Sequence, residues 1–90
     1  MNIHYRNDAP EFDGANLLMH FIAEVDGEPV DCAISAEALE DHFGAESALE
    51  GPLQEAFVRG RAQIRSVCTE SIEQTGGGVV LHSGHFRIQG

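Results

Sequence analysis

Positive charge is scarce in this sequence. Five basic residues, all arginine, stand against fifteen acids, for a net charge of −10. A surface of that sign repels a phosphate backbone, which argues against nucleic acid as the partner. It remains compatible with solubility and with a basic partner. The imbalance is concentrated in the front of the chain. Residues 1–55 hold thirteen acids and only Arg6, whereas residues 56–90 hold Arg59, Arg61, Arg65 and Arg87 against Glu70 and Glu73.

Cysteine is nearly absent too. Cys32 and Cys68 lie 36 positions apart, a spacing that matches no metal or redox motif. Both fall on core-facing positions, where reduced thiols act as small hydrophobes. No apolar run approaches the roughly 20 residues of a membrane span. The stretch from Met1 to Pro10 is polar and carries no apolar segment of signal-peptide type. The expectation is therefore a cytoplasmic protein without membrane contact, and the 90 residues allow one domain, residues 1–90.

What is present reads as a strand-rich front, a helical middle and a strand-rich tail. Ile3 and Tyr5 alternate with polar neighbours in a short first strand. Residues Asn7 to Pro10 and the Asp13-Gly14 pair carry turn chemistry. Leu17, Met19, Phe21, Ala23 and Val25 then form one side of a period-two run. Asp26-Gly27 is a strong hairpin signal, and Val30, Cys32 and Ile34 return along the partner strand. Ser35 suits a helix N-cap, Ala36, Leu39 and Phe43 share a face, and Gly44 fits the left-handed position that ends a helix. The stretch from Ala45 to Gly51 reads as a loop. From Leu53 through Ile72 an apolar stripe recurs at helical spacing, predicting one helix over residues 53–74. Gly60 interrupts the stripe's propensity, which close approach of the helix to the sheet would offset. Gly76-Gly77-Gly78 ends the helix. Residues 79–88 read as a last strand, either bulged at Ser83-Gly84 or folded there into a hairpin. The fold class is α+β: a small antiparallel sheet with one short and one long helix on one face, in the order β-β-β-α-α-β.

The segment Phe21 to Ala45 adds a resemblance. Val25 and Gly27 at the turn, Ile34-Ser35 at the strand's end and Glu37-Ala38-Leu39 in the following helix are similar to the recurring pattern of domain-of-unknown-function family 1488. The resemblance covers about a quarter of the chain and implies a small α+β fold with helices packed on an antiparallel sheet. It implies no activity.

Chemical motifs are few. His82 and His85 form the only local histidine pair and fit no standard ligand spacing. The nucleophile candidates Cys32, Cys68 and Ser83 lack any elbow motif. The glycines at 76–78 follow a helix rather than lead into one, so they face the wrong dipole end for phosphate. No catalytic, metal or cofactor-binding residue is assigned, and no cofactor is expected. Arg61 and Arg65, four apart, either lie over the core's edge to meet acids of the front half or form a site for an anion or acidic partner. Arg59 is placed to pair with Glu55. Glu37, Glu40 and Asp41 crowd one helix face with like charge, read as a solvated face or as recognition of a basic partner. Leu18, His20 and Ile22 lie on the outer side of the long strand, where polar residues belong if helices cover only the other side. They mark a candidate interaction surface, covered by the terminal strands or by a partner. Two functional readings follow. One is a regulatory or adaptor module acting through a protein partner or self-association. The alternative is an enzyme or metal-binding protein using His82, His85 and a cysteine.

Overall fold

The computed structural model describes residues 1–89, with side chains described through Phe86. Five strands form one sheet: β1 (Ile3–Tyr5), β2 (Glu11–Asp13), β3 (Leu18–Val25), β4 (Glu28–Ser35) and β5 (Val80–Leu81). Three helices, α1 (Ala36–Phe43), α2 (Glu50–Arg59) and α3 (Arg61–Thr75), lie between β4 and β5. A 3₁₀ helix, Ser83–Gln89, follows β5. The architecture is α+β, with the sheet ordered β1-β3-β4-β5 and β2 also paired to β3.

The β3–β4 hairpin anchors the sheet. Asp26 and Gly27 both have positive φ, 52° and 87°, the combination a two-residue hairpin of matching twist requires. That turn sets the register Phe21↔Cys32 and His20↔Ala33. Met19, Ala23, Cys32 and Ile34 then point inward and are fully buried, as strand alternation demands.

The helical stripe covers that face. Leu53, Ala56, Phe57, Ile64, Val67, Cys68 and Ile72 are buried in one cluster with the inward residues of the sheet. The rings of Phe21 and Phe57 meet at 5.4 Å between centroids. Ser35 caps α1 through a bond from the Ala38 amide to its hydroxyl at 3.1 Å, and Gly44 closes it at φ 74°.

Four expectations need correction. First, Glu11–Asp13 is a strand, antiparallel to β3. Turn residues on both sides masked a three-residue run, too short to show alternation, that pairs back with β3 across the brief connection of residues 14–17. Second, the expected helix over 53–74 is two helices bent at Gly60, and the first begins at Glu50 within the stretch read as loop. A Cβ on Gly60 would overlap the Phe43 ring, so the close approach is to α1 and not to the sheet. Third, the sheet is mixed, because β5 runs parallel to β4. The three intervening helices bring the chain back beside the middle of β4, near Asp31, and from there it runs parallel to β4 past Ala33 and Ile34. Fourth, residues 79–88 form neither a bulged strand nor a hairpin. The strand stops at Leu81 and the chain coils into the 3₁₀ helix. Phe86 is buried there, edge-on to Phe43 at 5.2 Å. The side chain of Ile88, within the same expected strand, lies outside the described side chains.

Candidate functional site

With three helices on one face of the sheet, the other face carries the side chains of alternate residues. From β3 these are Leu18, His20, Ile22 and Glu24, and from β4 Pro29, Asp31, Ala33 and Ser35. The register adds Glu11 and Asp13 from β2, His4 from β1 and Val80 from β5. Leu18, His20 and Ile22 are half-buried at the centre of this face. The terminal strands pair edge to edge with β3 and β4 and so extend the face rather than cover it.

His20 is gripped from both sides. Its Nε2 lies 3.2 Å from Asp13 Oδ2 on β2, and its Nδ1 lies 3.3 Å from Asp31 Oδ2 on β4. The bond to Asp13 is the main reason the imidazole titrates above its ordinary value of 6.5, and the Asp31 charge adds to it. Asp13 is held below the usual carboxylate range by the Asn16 side-chain amide first and His20 second. Beside this clasp is a cleft of about 200 Å³ lined by Arg6, Asp8, Glu11, His20, Ile22 and Asp31, among others. Arg6 is turned away to Glu24 at 3.0 Å.

The other candidates are placed elsewhere. Arg65 donates to Arg6 O at 3.1 Å and Asn7 Oδ1 at 3.3 Å, and its guanidinium stacks on Tyr5. It therefore ties α3 to the segment after β1 through neutral acceptors rather than acids. The Nε of Arg61 is buried without a hydrogen-bond partner among the described residues. Arg59 donates to Phe43 O at 3.0 Å and Gly44 O at 3.2 Å, capping the negative end of α1 instead of pairing with Glu55.

His82 and His85 stack on each other, and the His82 amide donates to His85 Nδ1 at 2.9 Å. Among the described residues, no group of three or more His, Cys, Asp or Glu is placed to hold a metal. Ser83 does meet a histidine: His42 Nε2 donates to its Oγ at 3.1 Å. The hydroxyl proton, however, goes to Asp41 Oδ2 at 2.7 Å. A triad needs the histidine to receive that proton and the carboxylate to sit behind the histidine. Here the group docks the start of the 3₁₀ helix onto α1, and Asp41, though exposed, is engaged by Ser83.

Cys32 on β4 and Cys68 on α3 are buried against each other. The Cys68 thiol bonding to Cys32 is the largest cause of the low Cys32 value, about 7. Cys68 is driven up by the same contact and by burial. The Tyr5 hydroxyl reaches Thr69 Oγ1 at 2.8 Å and is itself pushed up by burial.

The residues missed by sequence reading are Asp13, Asp31 and Glu11. Asp31 was within reach, because the Asp26-Gly27 turn places it opposite Ile22 and therefore diagonal to His20. Asp13 and Glu11 are missed because turn chemistry at Asn7 to Pro10 and at Asp13-Gly14 leaves no strand legible between them, although Glu11 and Asp13 pair with β3 across a short connection.

Comparison with known proteins agrees with the fold and stops there. The family of proteins of unknown function DUF1488 matches residues 3–81. A crystal structure of a DUF1488-family protein of unknown function from Shewanella loihica PV-4 superposes with a TM-score of 0.78 at 23% identity, covering 90% of this chain and 94% of that one. No curated protein matches the chain.

Proposed function

Because the chain belongs to the DUF1488 family, which is described as of unknown function, we propose a role from the geometry: a small protein-interaction module that receives a basic segment of a partner protein on the uncovered face of its sheet. The observation that carries this reading is the make-up of that face. An apolar centre of Leu18 and Ile22 is ringed by Glu11, Asp13, Glu24 and Asp31. Leaving two large aliphatic side chains half-exposed forgoes part of the roughly 1.5–3 kcal/mol each would yield on burial. A partner that covers them recovers it. The acidic ring selects the sign of that partner. A second copy of this chain would bring the same four acids face to face, so the ring opposes self-association through this surface. Two free, buried thiols suit a reducing compartment, and we place the protein in the cytoplasm.

The test uses a short oligo-arginine peptide with apolar residues interspersed. Binding should be lost when Glu11 and Asp31 are both changed to arginine. It should survive when Glu37 and Glu40, exposed acids on α1, are changed the same way. Equal loss in the two variants would mean that net charge alone attracts the peptide, and the face would have no special role.

A further inference from the structure

The two ring nitrogens of His20 both face carboxylate oxygens, at 3.2 Å and 3.3 Å. A neutral imidazole has one N–H, so one of those contacts would set a lone pair against a carboxylate. The geometry therefore belongs to the imidazolium form, in which both nitrogens donate. We propose that the cation of a bound partner takes the place of the His20 proton between Asp13 and Asp31, so that His20 protonation and partner binding oppose each other. This rests on the reading of the face as a site for a basic segment.

The surrounding charges leave the competition to these groups. From β2, Glu11 stands directly opposite His20 and Asp13 bonds it. From β4, Asp31 forms an ion pair with it across 3.3 Å and the residue opposite is Ala33. From β5, Val80 is the next residue across. The segment after β1 contributes Asp8 and Arg6 to the cleft, and Arg6 is engaged by Glu24 on β3 itself. Five carboxylates thus face one imidazolium and one arginine, and the arginine is already paired with Glu24. A guanidinium or ammonium entering the cleft finds Asp13 and Asp31 partly neutralised while His20 is charged. It finds them uncompensated once His20 has lost its proton. The bond to Asp13 holds His20 protonated to a higher pH than an ordinary imidazole, and histidine is the side chain whose charge small changes of surroundings switch.

The sign follows from linkage. Below the His20 pKa, binding must expel a proton, so affinity rises toward tenfold per pH unit as pH increases. Above it the site is already empty of that proton and affinity levels off. The experiment measures the dissociation constant of the oligo-arginine peptide at constant ionic strength from about pH 5 to 8, for the unmodified protein, His20→Gln and His82→Gln, an exposed histidine away from this face. The His20 ring is followed by NMR with and without peptide. The expected result is a rising, then flat, affinity for the unmodified protein and His82→Gln, no pH dependence for His20→Gln, and a lowered His20 pKa in the complex. Peptide that binds this face with an affinity independent of pH, or with an unshifted His20, would overturn the exchange while leaving the binding face intact. Absence of binding at every pH would remove the binding face itself, and the exchange with it.

Discussion

Gly60 shows how one missing methyl group shapes the molecule. Its amide still bonds Ala56 O at 3.0 Å, and its carbonyl still accepts from Ile64 at 2.9 Å. The hydrogen-bonded path thus runs through the bend, and what separates α2 from α3 is the Phe43 ring occupying the space of a side chain. Outside this setting, alanine would raise helix propensity by about 1 kcal/mol relative to glycine. Here the overlap with a packed ring should outweigh that gain, and Gly60→Ala should destabilise the protein by ~1–3 kcal/mol. Urea unfolding gives the sign directly, and a stabilised variant would mean that Phe43 can swing aside without cost.

Among the elements, α1 is the most fully specified by its own residues. Ser35 bonds the Ala38 amide, Glu37 sits in the first turn where the dipole favours negative charge, and Gly44 takes the left-handed position at the other end. Ser35→Ala should cost ~0.5–2 kcal/mol. Thermal denaturation that leaves the melting temperature unchanged would show that burial of Ala38 and Leu39 holds the helix without its cap. The far end has a second fastening that is not local: Arg59 reaches back from α2 to the last carbonyls. The tail gives the contrast. Residues 79–88 have the apolar content of a strand, yet after Leu81 they form a 3₁₀ helix. The Asp41–Ser83–His42 bonds and the pocket for Phe86 against Phe43 outweigh that strand preference.

For the whole molecule, charge distribution is the governing property. The net charge of −10 opposes counterion release from a duplex, so no appreciable affinity for DNA is expected at physiological salt. A reproducible low-micromolar complex in a gel-shift assay at about 150 mM salt would contradict this. Arg65 would not then be a simple candidate for the contact, because it is already committed to Arg6 O, Asn7 Oδ1 and Tyr5.

The features legible in the sequence depend on neighbours close along the chain. The Asp26-Gly27 turn sets the β3–β4 register because both residues tolerate positive φ. The Ser35 and Gly44 caps bound α1, and the apolar stripe marks the buried side of α2 and α3 because its period is that of the helix. Strand alternation likewise put Leu18, His20 and Ile22 on one outward side. Other features required partners far away in sequence: packing against Phe43 bent the helix at Gly60, and the return of three helices made β5 parallel. Glu11–Asp13 pairs with β3 close along the chain, but a three-residue run is too short to show its alternation. The His20 clasp depends on both hairpins. Asp31 follows from the turn register, but Asp13 reaches His20 only because β2 pairs with β3, and short strands take their stability from such cross-strand contacts rather than from their own propensity.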